Sequence, residues 1–95
     1  MNFNWDEKKN LYLKENRNIC FEDIIVAINE NRILDIINHP NQQKYPGQKI
    51  LIVEINNYAY MVPYNEDKER EEIFLKTIIP SRKMTKIYLR KRDER

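Results

Sequence analysis

The sequence predicts an α+β fold: two N-terminal helices, a four-stranded, mainly antiparallel sheet and a C-terminal basic helix. Three observations carry this. Phe21, Ile24, Ile25 and Ile28 recur at the spacing of one helix face. KILIVEIN and YAYMVPYN are apolar runs of strand length that meet at the turn pair Asn56-Asn57. The run Glu71–Lys83 (EEIFLKTIIPSRK) is rich in Ile and Phe, ends at Pro80 and is followed by Ser81, a residue suited to cap a new helix. That last run organises the chain, because a buried strand there delivers a pair of cations, Arg82 and Lys83, to a fixed place at its end.

In chain order, the first helix is expected over Asp6–Arg17, with Asn4 as its cap and Asp6 and Glu7 in the first turn, where the helix dipole favours acids. Its apolar stripe is poor, since Leu11, Tyr12 and Leu13 fan out, so Phe3 and Trp5 are expected to help hold it. Asn16-Arg17-Asn18 stops it, because asparagine tolerates the left-handed conformation of a helix end. The second helix starts behind Cys20. A thiol at a helix N-terminus can have a lowered pKa, but a small packed residue standing in for serine is the commoner case.

A first strand is expected over Arg32–Asn38, then a ten-residue loop from His39 to Gln48 with two prolines, long enough in so small a chain to suggest function. Strands follow at Lys49–Asn56, Tyr58–Asn65 and Ile73–Pro80. A two-residue turn at Asn56-Asn57 pairs Ile55 with Tyr58, Val53 with Tyr60, Leu51 with Val62 and Lys49 with Tyr64. One face of that hairpin then carries Lys49, Tyr58, Tyr60 and Tyr64, and the other Ile50, Ile52, Ala59, Met61 and Pro63. Periodicity does not decide which face meets the helices. In the last helix, about Arg82–Arg92, a turn of about 100° per residue gathers Arg82, Lys83, Lys86 and Arg90 in one quadrant, with Met84, Ile87 and Tyr88 opposite.

Ninety-five residues, 41% of them hydrophobic, suffice for one domain with one core. The single glycine excludes a glycine-rich phosphate loop, and one His with one Cys cannot build a structural zinc site. No cofactor is implied. A lone Cys20, no long apolar run and an N-terminus unlike a signal peptide point to a reducing, cytoplasmic setting. The net charge of +2 hides an asymmetry: residues 82–95 carry seven basic and two acidic side chains, net +5, on a body of net −3. Such a basic end suits a polyanion or an acidic protein partner, or is simply a solvated tail.

Two segments carry a family resemblance. FNWDEKKN followed by NRNICFEDIIVAI resembles the opening of BrnT-type toxins, and KTIIPSRKMTKIYLRK resembles their strand-to-helix segment near the end. Trp5, Asp6, Lys9 and Asn10 match the first motif, Phe21 and Glu22 the second helix, Tyr64 a tyrosine closing the third strand, and Arg82 and Lys83 the end motif. The resemblance covers the whole chain. It implies a RelE-like fold and the toxin of a type II toxin–antitoxin system: a metal-independent endoribonuclease that inhibits translation. It also implies a cognate DNA-binding antitoxin of ribbon-helix-helix or similar type. The chain departs from the pattern at Arg17-Asn18, where the family has His-Gly, at Pro80-Ser81, where it has Ser-Ala, and at Thr77, where an arginine opens its strand. Lys76 lies one residue away and, in a regular strand, faces the other side.

Metal-free RNA cleavage needs a base for the 2′-hydroxyl, an acid for the leaving 5′-oxygen and cations for the charge building on phosphate. Arg82 suits the phosphate through its planar fork. Lys76, Lys49 and Lys83 can add charge, and Lys86 and Arg90 extend the basic stripe. A lysine serves as base only if its pKa falls from about 10.4 toward neutrality. His39 needs no such help, and Tyr64 or Tyr60 can donate a proton or stack a base. The candidate catalytic set is therefore Arg82, Lys76, Tyr64 and His39, and the RNA-binding set Lys49, Tyr60, Lys83, Lys86 and Arg90. Each has a plainer reading: His39 as a loop residue, Lys76 as a surface lysine, the tyrosines as sheet packing, and Arg82 as an ion-pair partner of Glu71 or Glu72. A non-catalytic nucleic-acid- or partner-binding module fits the same pattern, while no motif supports a metabolic enzyme.

Overall fold

The computed structural model describes residues 2–90. It is an α+β fold of three helices and a mixed sheet. The elements run β1 (Asn2–Asn4), α1 (Glu7–Arg17), α2 (Phe21–Asn29), β2 (Ile33–Asn38), β3 (Lys49–Ile55), β4 (Tyr58–Asp67), β5 (Glu72–Leu75), β6 (Ile79–Pro80) and α3 (Arg82–Tyr88). The sheet order is β1-β5-β4-β3-β2, with β6 pairing β4 beyond the end of β5. Among the described residues, only β1 and β5 pair in parallel. Among the described residues no helix is long and apolar enough to cross a membrane.

The central hairpin has the expected register, from Lys49↔Tyr64 to Ile55↔Tyr58. Its turn residues Asn56 and Asn57 both have positive φ, 52° and 64°, which lets the connection follow the strands' own twist. Asn18, at φ 55°, ends α1 in the same left-handed region. The cap of α1 is Asp6, not Asn4. Asp6 Oδ1 accepts from the Lys8 amide at 2.8 Å, while the Asn4 side chain donates across to Glu72. Asn4 is committed elsewhere because β1 is a strand, three residues too short to show a period of two.

Helices cover both faces of the sheet, so both faces of the hairpin meet a helix. Leu51, Val53, Val62, Leu75 and Ile78 meet Leu13 of α1 and Phe21, Ile24 and Ala27 of α2 in one core. Ile50, Ile52 and Ala59 meet Met84, Tyr88 and Leu89 in a second. The α3 contact face differs from the expected one at one residue: Thr85 is buried and Ile87 is exposed. Met84, Tyr88 and Leu89 centre the contact, and Thr85 lies about 50° from their mean direction while Ile87 lies about 110° from it. Of the helix expected to reach Arg92, the described part is helical to Tyr88, and the remainder of that expectation beyond Arg90 lies outside the described residues.

The strand expected over Ile73–Pro80 is interrupted. Leu75 pairs with Tyr64, yet Ile79 pairs with Met61, so one extra residue sits on this side. Pro63 explains the break. Its carbonyl accepts the Lys76 amide at 2.8 Å, but a proline cannot return the second bond of that pair. The ladder loses a rung there and the partner strand bulges. One consequence is that Leu75 and Ile78, three residues apart, enter the same core. A regular strand would have turned one of them away.

Candidate functional site

The strand break and the 39–48 loop together form one cleft. It has a volume of about 560 Å³ and is walled by His39, Lys44, Tyr45, Pro46 and Gln48 on the loop side, and by Pro63, Asn65, Lys76, Thr77 and Ile79 on the sheet side. Lys76 and Thr77 both line it, contrary to the expectation that adjacent strand residues face opposite ways. The bulge removes that alternation. The shifted cation at Lys76 and the position where the resembled family has arginine therefore open on the same space.

The loop is held by its own polar groups. His39 N–H donates to the Gln48 carbonyl at 3.0 Å and closes its base. The Gln42 side chain crosses it: Nε2 donates to the carbonyls of His39 (2.7 Å) and Gln48 (3.1 Å), and Oε1 accepts from the Gly47 amide (3.0 Å). Gly47 has φ +74°, the conformation for which glycine is suited. At the cleft floor Gln48 Nε2 donates to Asn65 Oδ1 at 3.2 Å and joins loop to sheet.

His39 is oriented in a way that limits its chemistry. Its Nδ1 accepts the Asn41 amide at 3.0 Å, so the neutral ring carries its proton on Nε2. Its ring lies against Tyr45, with centroids 4.5 Å apart. In this arrangement His39 offers a donor and not a free basic nitrogen. The Lys44 ammonium stands 5.4 Å from the Tyr45 ring centre, and the Lys76 ammonium 5.1 Å from that of Phe74. These are cation–π distances that steady both long side chains.

A second cleft, about 500 Å³, is walled by Tyr58, Arg82, Thr85, Lys86 and Arg90. Ser81 caps α3 by accepting the Met84 amide at 3.0 Å, which fixes the turn where Arg82 emerges. Arg82 is exposed, and no carboxylate among the described residues lies within ion-pair distance of it. The anticipated pairing with Glu71 or Glu72 is absent among the described residues, and Glu72 instead holds Asn4. Lys83 is exposed on α3 outside the cleft lining. Tyr58, which the sequence places on the hairpin face shared with Tyr60 and Tyr64, is an aromatic wall for three cations. Its position follows from β6 and α3 returning beside the start of β4.

The remaining candidates lie apart from these clefts. Tyr64 is buried in the core on the α1–α2 side, and burial, with a smaller contribution from Glu66, raises its phenol pKa. A phenol held in its protonated form among apolar side chains is a packing residue with a weak acid at its tip. Lys49, directly opposite Tyr64, is exposed and lines neither cleft. Tyr60 packs half-buried against the same core, edge-on to Tyr58 at 5.8 Å. For Tyr60 and Tyr64 the plainer reading, sheet packing, describes their surroundings.

The opening motif has a structural role. Asn10 is buried, and its side chain bridges two helices. Its Oδ1 accepts the Phe21 amide at 2.7 Å at the start of α2, and its Nδ2 donates to Glu22 at 2.8 Å. That second bond holds the Glu22 carboxyl below its ordinary range. Trp5 stacks on Phe21, with centroids 5.5 Å apart, and donates from Nε1 to Glu7 at 2.7 Å. Cys20 precedes α2 with its amide bonded to Asp23 at 3.0 Å, and burial pushes its thiol pKa up. That is opposite to an activated cysteine.

Comparison with protein-family models, with curated proteins and with solved structures returns no match.

Proposed function

We propose that this chain is an RNA-directed toxin of the BrnT-like, RelE-related kind, the toxin half of a type II toxin–antitoxin pair. The observation that carries the reading is the α3 cleft. Arg82, Lys86 and Arg90 line it with Tyr58, and no carboxylate among the described residues comes within ion-pair distance of the three cations. Guanidinium forks beside an aromatic ring suit a ribose-phosphate chain and its bases. The paired end motifs support the same reading, as does the order that follows the short β1: two helices, five strands and a last helix. RNA would enter along the α3 stripe and pass β6 toward Lys76 and His39. Arg82 would bind the phosphate at which charge builds, without a metal. A cognate antitoxin, DNA-binding and acidic where it meets the toxin, would cover α3.

The test is cleavage of single-stranded RNA by the purified protein in the presence of EDTA, lost on Arg82→Ala. Growth arrest on expression, relieved by an adjacent antitoxin frame, is the cellular counterpart. Cleavage that requires added metal would overturn the reading.

One observation favours a second reading, a nucleic-acid-binding module without cleavage. His39 Nδ1 is occupied by the Asn41 amide, and Tyr64 belongs to the opposite face, so no base and acid converge beside Lys76. Salt-sensitive RNA binding with no products in any buffer would decide for it.

A further inference from the structure

The cleft between the 39–48 loop and the strand break has more in it than a passing RNA backbone requires. We propose that it is a binding site for a single nucleotide. The phosphate is held by Lys44, Lys76 and His39, and the base or sugar lies against the Pro46, Pro63 and Ile79 wall.

The polar groups select for an oxyanion. Among the described residues, neither aspartate nor glutamate lines the cleft. Lys44 and Lys76 bring two ammonium groups, and His39 brings an Nε2–H donor because its Nδ1 already accepts the Asn41 amide. Asn65 uses its Oδ1 to accept from Gln48, which leaves its Nδ2 hydrogens for a ligand. A pocket that presents donors and positive charge without a carboxylate favours phosphate over cationic or neutral ligands.

Size and the remaining wall narrow the ligand further. A volume of about 560 Å³ is far larger than a phosphate ion needs and falls in the range of small-molecule sites, roughly 300–1,000 Å³. Ile79 is a large apolar residue left 41% exposed at the rim, available to cover a base or ribose. The loop side is built in advance, since the three Gln42 bonds and the His39–Gln48 closure order it without a ligand. Binding therefore does not have to order it.

The site does not rest on RNA cleavage; a protein that cuts nothing would still bind a nucleotide here. The experiment is a titration of the full chain with nucleoside 5′-monophosphates, the parent nucleosides and inorganic phosphate, followed by NMR amide shifts. The expected result is saturable monophosphate binding with shifts at Gln48, Asn65, Lys76 and Thr77. Inorganic phosphate should bind more weakly and nucleosides more weakly still. Lys76→Ala and Lys44→Ala should each weaken monophosphate binding about tenfold, as loss of one charge-assisted contact does, while Lys14→Ala on α1 should leave it unchanged. No saturation at millimolar concentration, nucleosides binding as well as monophosphates, phosphate binding as tightly as nucleotides, or shifts gathered on α3 would each overturn the proposal. RNA cleavage without nucleotide binding removes this site alone, and nucleotide binding without cleavage leaves it intact while removing the nuclease reading.

Discussion

Thr85 Oγ1 accepts the backbone amide of Ala59 at 2.8 Å, so a helix side chain stands where the next strand of the sheet would be. Among the described residues the outer edge of β4 has no strand beyond β6, and its Ala59 amide would otherwise be buried without a partner. The Ser81 amide completes the exchange by donating to the Ala59 carbonyl at 3.0 Å. Thr85 in turn donates to the Ser81 carbonyl at 2.8 Å. These bonds fix α3 against the sheet and aim its basic stripe outward.

Thr85→Val keeps the shape and removes the acceptor. It should destabilise the fold by about 1–3 kcal/mol, the cost of an unsatisfied buried amide, read as a lower urea midpoint with an unchanged slope. Thr85→Ser should retain most of the stability. A Thr85→Val protein as stable as the wild type would mean that Ala59 finds another partner.

Asn10 should be equally intolerant. Asn10→Ala removes the acceptor for the Phe21 amide and the donor to Glu22, and we expect a loss of about 2 kcal/mol. Asn10→Asp should be worse, because it sets a second carboxylate against Glu22 beside the buried start of α2. Thermal unfolding of the two variants gives the ranking directly.

Acid should weaken the packing of α3. The Tyr88 hydroxyl donates to Asp35, and this bond, with the Ile36 amide at 2.7 Å, holds the Asp35 carboxyl below its ordinary range. A depressed folded pKa means the stabilising contribution is present above the unfolded value, about 4, and is lost as pH falls through the lower folded value. For Tyr88 the sign reverses. Asp35 raises its phenol pKa, so its contribution is present below about 10 and lost as pH rises through the folded value. Urea midpoints measured across pH should fall at both ends, and Asp35→Asn should flatten the acidic limb relative to wild type.

The Gln42 bonds make a local prediction. Gln42→Ala should speed amide exchange at Gly47 and leave the β3–β4 hairpin amides protected, because the loop's bonds are its own. Equal acceleration throughout the sheet would show that the loop is part of the global unfolding unit.

The cations of the α3 cleft should act as phosphate contacts. Lys86→Ala and Arg90→Ala should each weaken RNA binding for all sequences alike and lower the slope of log K against log salt by about one. An unchanged slope would exclude direct phosphate contact by that residue.

Local chemistry was enough for much of this chain. Paired asparagines at Asn56-Asn57 set the hairpin register, Asn18 marked the end of α1, and Ser81 marked the start of α3, because each signal acts within four residues of itself. The sequence also segregated Arg82, Lys86 and Arg90 on one side of a helix, since helical periodicity needs no tertiary information. What the tertiary structure decided was which residues share a space. Pro63 held a readable warning of the break at Lys76–Ile78, but its effect appears only where another strand asks it for an amide it lacks. The nearness of His39 to Lys76, of Tyr58 to Arg82 and of Asn10 to Phe21 depends on chain segments far apart in order, and so does the cover of both sheet faces. Periodicity tells a strand that it has two sides; only the packing of distant helices determines what each side meets.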